Sequence, residues 1–326
     1  MAAARDPCVA AGIAAMNPAF SVIIFTTIAG AAQGTVVALA LAVLAGIPLG
    51  AAFPPVLLLL ALAMLVAGLG ASSLHLGRPE RAWRAATMWR TSWLSREVLA
   101  LPAFIGLVAV WWSALRFGAA GPWTNLVLPL AALALAVLLW LCTAMVYACL
   151  RFIEEWAHPL TFVNFVFIGL SSGFLMATAA ATLAAEPAFA RAFGPAAFIA
   201  TMLAWGTRML ALRRNAGIRH RSTLQSATGI RAAQLSQQSM GMSAGSFNTR
   251  EFFHRASLAG LARIRLALVL LGFAFPAVLA AVGLVWPSPV PWLLAVAVQV
   301  PGLMADRWTF FAQARHPQNL YYQVVS

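Results

Sequence analysis

Eight long apolar runs, each able to cross a bilayer as a helix, constrain this chain more than any other feature. A hydrocarbon core about 30 Å thick takes about 20 helical residues. Read against Gly, Pro and charge punctuation, the runs fall at roughly 18–46, 54–74, 94–116, 123–150, 161–184, 189–212, 259–285 and 289–311. They are long and continuous, without the period-two alternation of barrel strands. The expected fold is an all-α integral membrane protein, an eight-transmembrane-helix bundle. Composition agrees: 62% of the 326 residues are hydrophobic and only 9% charged, against about 25% charged in a soluble domain. A soluble globular enzyme is excluded. A net charge of +13 invites a nucleic-acid reading, but all 21 basic residues are arginines set between apolar runs. The expected surroundings are therefore a lipid bilayer, with no nucleic-acid partner.

Sorting the arginines by side gives the topology. With eight spans, the two ends of the chain and the 2–3, 4–5 and 6–7 connections share one face. That face takes 19 arginines, against Arg116 and Arg191 alone on the other. Seven of the eight acids lie with the majority, leaving +12 on one face and +1 on the other. The positive-inside rule then places both termini in the cytoplasm. All five histidines fall on that side as well. The expected organisation is an extension over 1–15, a membrane domain over 16–312 with a long cytoplasmic loop at 213–258, and a tail over 313–326. Met16-Asn17-Pro18 reads as an alternative start.

The 2–3 connection is the richest polar segment. Arg78, Arg81 and Arg84 recur every third residue beside Trp83, Met88, Trp89 and Trp93, a pattern that suits a short helix lying at the headgroups. A plain basic, lipid-facing helix would explain most of it. Two residues do not fit that account. Glu97 lies just inside the third span, where an acid is costly and usually faces a bundle interior or cavity; the competing reading is a salt bridge to Arg96 or another loop arginine. His75 closes the second span on the same side, and with Glu97 makes a candidate proton-handling pair; the competing reading is a helix-end residue bonding loop carbonyls. No span has a histidine near its middle, so no haem is expected, and Cys8, Cys142 and Cys149 lack metal spacing, so no metal is expected in this chain. In the long loop, residues 243–254 mix aromatics with an Arg/Glu pair, and residues 315–322 of the tail have the same character. Both read as docking surface. A secondary transporter is the second class considered, and it would show inverted repeats and midplane polar residues. No halved repeat is evident in the sequence, and Asn164 and Gln299 are thin support for a midplane site.

At this point a resemblance enters. His75-Leu76-Gly77-Arg78-Pro79, Ala82 and Ser92-Trp93-Leu94-Ser95-Arg96-Glu97 resemble the signature of the dimethyl sulfoxide reductase membrane-anchor (DmsC-type) family. Met16-Asn17-Pro18-Ala19-Phe20-Ser21 and Ser226-Ala227-Thr228-Gly229 resemble its sulfite-dehydrogenase-like branch. The resemblance implies the anchor of a three-subunit complex in the bacterial inner membrane. A molybdopterin subunit would turn over substrate, an iron–sulfur subunit would carry electrons, and this chain, not catalytic on the substrate by itself, would exchange them with ubiquinone or menaquinone. It also implies quinone-site roles for His75 and Glu97, to which we add Arg78, Trp93 and Arg96 as quinone-binding candidates. Arg96 and the long 6–7 loop depart from the reductase branch. The loop bears on the substrate and not on the quinone role, and the cytoplasmic docking face favours sulfite oxidation over dimethyl sulfoxide-type reduction. A polysulfide-reductase-type anchor would play the same role with different partners.

Overall fold

Proline and glycine punctuation divides the chain into the helices that apolar run length predicts. The structure, a computed structural model, describes residues 20–74, 79–118, 121–218, 223–235 and 258–314. Eight helices in it are long and apolar enough to cross a membrane: α1 (Phe20–Leu44), α2 (Phe53–Ser73), α3 (Trp93–Arg116), α4 (Trp123–Ala148), α5 (Pro159–Leu183), α6 (Pro187–Ala216), α7 (Ala259–Val285) and α8 (Pro289–Ala312). No strand occurs among the described residues. A belt of exposed Leu, Val and Ile, including Leu59, Leu130, Ile199, Val278 and Val300, covers the outside, as lipid contact requires. The protein is a multi-pass membrane protein.

The connection before α3 forms a 3₁₀ helix over Pro79–Ala86. At three residues per turn, side chains three apart eclipse one another, so Arg81 and Arg84 share one edge. Trp83 and Trp89 are exposed, in keeping with the expected interfacial helix. His75 and Arg78 lie outside the described residues, as do residues 243–254 and 315–322.

Two helices widen where a proline would otherwise clash. Proline lacks the N–H and its ring strikes the carbonyl four residues back. A π turn over Trp123–Val127 precedes Pro129, and another over Leu270–Ala274 precedes Pro276. In the first, the Leu128 N–H bonds Trp123 O. Thr124 O is thereby free to accept from the Trp111 indole of α3 at 3.1 Å, which ties α3 to α4.

Packing resolves the bundle into two four-helix rings. In the first, α1 packs on α2 and α4, and α3 closes the ring against both. In the second, α5 packs on α6 and α8, and α7 closes against both. The rings therefore share one connection order, and they meet along α1 and α5, the two most buried helices. The seam is a pair of glycine motifs in parallel: Gly30 and Gly34 on α1 against Gly169 and Gly173 on α5. An added Cβ at Gly34 or Gly173 would fall inside the opposing backbone. Such small-residue contacts let helices associate by backbone packing in lipid. The halved organisation that the sequence does not display is therefore present, as a parallel repeat of packing order.

Candidate functional site

Local sequence fixes where Glu97 sits. Ser92 has extended backbone and its side chain accepts from the Ser95 N–H at 3.3 Å, capping α3. Counting from that cap, Glu97 falls in the second turn and turns inward, 7% exposed. It meets α4, where the Thr143 hydroxyl donates to Glu97 Oε1 at 2.6 Å. Its carboxylate makes no other hydrogen bond among the described residues, so Oε2 is left for something else.

Arg96 goes the other way. Its guanidinium stacks 4.2 Å from the Trp93 ring centroid. It also donates from Nε to Trp89 O at 2.9 Å and from Nη2 to Arg90 O at 2.8 Å. The fork thus folds the 3₁₀ connection down onto the start of α3. The alternative of a Glu97–Arg96 salt bridge is not what the side chains do: one faces the bundle, the other the connection. Of the five sequence candidates, Trp93, Arg96 and Glu97 come together at one end of the first ring, and His75 and Arg78 belong to the undescribed part of the same connection.

Beside this site, Tyr147 lies one turn beyond Thr143 on α4. It sits in an aromatic cage with Trp156 and Phe310, each at 5.3 Å between centroids, Phe311 at 5.4 Å and Phe165 at 6.1 Å. The Trp156 indole donates to Phe310 O at 2.9 Å, pinning the 4–5 connection to α8. Arg307 stands 4.0 Å over Phe165.

Sequence reasoning missed a second polar cluster, in the other ring. By sequence, Arg208, Asp306 and Arg307 read as charges on the arginine-rich face. They are instead 2%, 1% and 3% exposed inside the bundle, and Arg208 and Asp306 form an ion pair between α6 and α8. Arginines near helix ends normally reach the interface, and that expectation hid them. The available signal was the adjacent Asp306-Arg307 pair inside an apolar run.

Two comparisons with known proteins bear on this geometry. The chain is 46% identical to a sulfite dehydrogenase subunit of Allochromatium vinosum over 331 aligned residues, covering 95% of this chain and 100% of the relative. The family model described as DMSO reductase anchor subunit (DmsC) matches residues 15–271, a stretch that includes the 3₁₀ connection, Glu97 and Thr143. The chain belongs to the DMSO reductase anchor subunit family, and it is the membrane-anchor subunit of an oxidoreductase complex.

Proposed function

We propose that this anchor passes electrons from a sulfite-oxidising molybdopterin subunit, by way of an iron–sulfur subunit, to ubiquinone or menaquinone in the bacterial inner membrane. One observation carries the quinone reading. The Glu97 carboxyl is buried where α3 meets α4, held at Oε1 by Thr143 and, among the described residues, without a partner at Oε2. A buried acid in an apolar bundle is expensive and marks a proton or substrate path. The donor set suits a quinone headgroup, which needs hydrogen-bonding groups at its oxygens and an apolar wall. A bound quinone would supply the two-electron chemistry that no side chain here can perform.

The chain's own residues then have defined work. Glu97 holds a proton at Oε2 and delivers it to the site. Thr143 fixes the carboxyl rotamer, and the Arg96 stack on Trp93 stiffens the rim. His75 and Arg78, from the preceding connection, complete the proposed binding set. The 19-to-2 arginine split supports cytoplasmic termini and a cytoplasmic docking face for the partner subunits. The sulfite assignment rests on the likeness to the Allochromatium vinosum protein.

The test is Glu97→Gln in the assembled complex. Loss of a positioned acid–base group is expected to lower quinone-linked sulfite oxidation about 100-fold or more, with sulfite-dependent dye reduction at the catalytic subunit unchanged. Full quinone-linked activity in the variant would overturn the role of Glu97. Turnover of dimethyl sulfoxide in place of sulfite would overturn the substrate.

A further inference from the structure

The second ring holds polar residues that the quinone reading does not use, and they are stacked in register. Asn164 on α5, Arg208 on α6 and Asp306 on α8 form one tier. Seven residues deeper on each helix come Ser171, Thr201 and Gln299, and seven deeper again Thr178, Gly194 and Trp292. The first six of these, with Thr178, are polar or charged side chains 7% exposed or less. The middle tier is a hydrogen-bond chain across three helices: Gln299 Nε2 donates to Ser171 Oγ at 2.8 Å, and Ser171 Oγ and Thr201 Oγ1 are 2.8 Å apart.

Both ends of this column open into space. At the first tier a cavity of about 10 Å³, the size of one water, is lined by Asn164, the Arg208–Asp306 pair, Glu155 and His158. Asn164 Oδ1 has no hydrogen-bond partner there among the described residues, and a polar cavity of this size suits an ordered water. Two further arginines border it but are turned aside: Arg307 lies over Phe165 at 4.0 Å, and Arg214 donates to Glu154 O at 3.0 Å. At the opposite end of the bundle lies a cleft of about 650 Å³ lined by Thr182, one turn beyond Thr178, together with Glu186, Arg191 and Trp292. Trp292, in the same tier as Thr178, lines that cleft. It fills room that two glycines leave: an added Cβ would be 3.3 Å from the ring at Gly194 and 2.5 Å at Gly283.

We propose that this α5–α6–α8 seam is a proton path across the second ring, closed by the Trp292 indole. Tiers seven residues apart are about 10 Å apart along a helix, a gap that about three hydrogen-bonded waters span. Asn164, Ser171, Thr201, Gln299 and Thr178 each offer lone pairs to such waters, and Asp306 neutralises Arg208 so that the first tier does not repel an incoming proton. Helix adhesion alone needs the middle chain of hydrogen bonds. It does not need Thr178 Oγ1 and Asn164 Oδ1 buried without partners among the described residues, nor the two spaces at the ends. The inference is independent of Glu97 and of the quinone reading, and α8 lies beyond the residues that the family model matches.

The experiment uses the whole complex in liposomes, with an imposed pH gradient and a trapped pH-sensitive dye. Trp292→Ala is expected to speed collapse of the gradient at least 5-fold, and Trp292→Phe by less. Adding Gln299→Leu to either variant should return the rate to that of the unmutated complex. Glu97→Gln should leave the leak unchanged, which separates this path from the quinone site. Size-exclusion elution as the intact complex verifies folding, and Trp292→Phe serves as the milder opening if Trp292→Ala does not assemble. A tight membrane in both variants, or a leak that Gln299→Leu does not reduce, would overturn the proposal.

Discussion

Replacing Gly173 by alanine separates what the glycine motif suggests from what the packing dictates. An added Cβ at 173 would fall inside the backbone of Gly34 and Thr35, well under the 3.0 Å that real Cβ atoms respect. No rotamer relieves it, since the obstacle is main chain, so α1 and α5 must part by about 1 Å. A gap of that width forfeits up to about half of the dispersion attraction between the atoms facing each other across the seam. The hydrogen bond from Thr35 Oγ1 to Gly173 O, already 3.4 Å, would go too. Overpacking costs about 1–3 kcal/mol, and an unyielding backbone puts this case at about 3. Alanine returns about 1 kcal/mol of helix propensity, for a net loss of about 2 kcal/mol, or about 30-fold in the folding equilibrium. The assay is reversible unfolding of the purified protein in bicelles or mixed micelles. Gly30→Ala is the control within the same motif: its Cβ would be 4.0 Å from Gly169 Cα, so with no clash to offset the propensity gain it should stabilise by up to about 1 kcal/mol. Gly206→Ala, with nothing within 4 Å, should be neutral or slightly stabilising. Equal destabilisation by Gly30→Ala and Gly173→Ala would refute the reasoning, as would a neutral Gly173→Ala.

Other substitutions test other interactions. Thr143→Val removes the donor to Glu97 Oε1; the loss of such a bond, about 1.4 kcal/mol, should lower quinone-linked turnover about 10-fold, with Thr143→Ser restoring it. Asp306→Leu strands the buried Arg208 guanidinium and should cost about 3–5 kcal/mol in unfolding measurements, most of it recovered in the Arg208→Leu/Asp306→Leu double variant; a double variant no better than the single would contradict this. His158 caps α5 by accepting the Leu160 N–H at Nδ1, 3.2 Å away, which only an unprotonated Nδ1 can do. Burial and then the nearby Arg214 hold its pKa below the ordinary 6.5. The unfolded chain therefore takes up the proton first, so the cap's contribution is full above about pH 6.5 and fades as pH falls toward the lowered value. His158→Asn, which caps at any pH, should flatten that loss of thermal stability, and His158→Ala should cost about 1 kcal/mol at pH 8.

The spans were legible because a bilayer reads run length, and length survives in one dimension. Glu97 was legible for a related reason: an acid inside an apolar run has no cheap explanation. Thr143 was not, because threonines in spans usually satisfy themselves. Thr35 and Thr201 bond the carbonyl four residues back at 2.9 and 2.7 Å, and nothing in the sequence sets Thr143 apart. Arg208 and Asp306 are 98 residues apart and meet only once the second ring closes and α6 and α8 face each other across its interior. The competing reading of each, a charge near a span end reaching for water, is reasonable when each is taken alone.

The two rings show how far one packing order can be put to different uses. Both close in the same sequence of helix neighbours, and both carry GxxxG in the helix at their shared seam. The polar groups, however, sit differently. The first ring places one carboxyl at the edge, between α3 and α4 and against the aromatic, arginine-bearing connection. The second runs its polar groups down the interior, on α5, α6 and α8. A carboxyl at the rim can exchange protons with a ligand entering from the headgroups but reaches no farther. Polar groups at seven-residue steps, on α5, α6 and α8 in two tiers and on α5 alone in the third, run along the interior but offer little room for a ligand of any size, since each tier is filled by its own side chains. This difference is why we propose a site for a bulky redox partner in the first ring and a passage for something as small as a proton in the second.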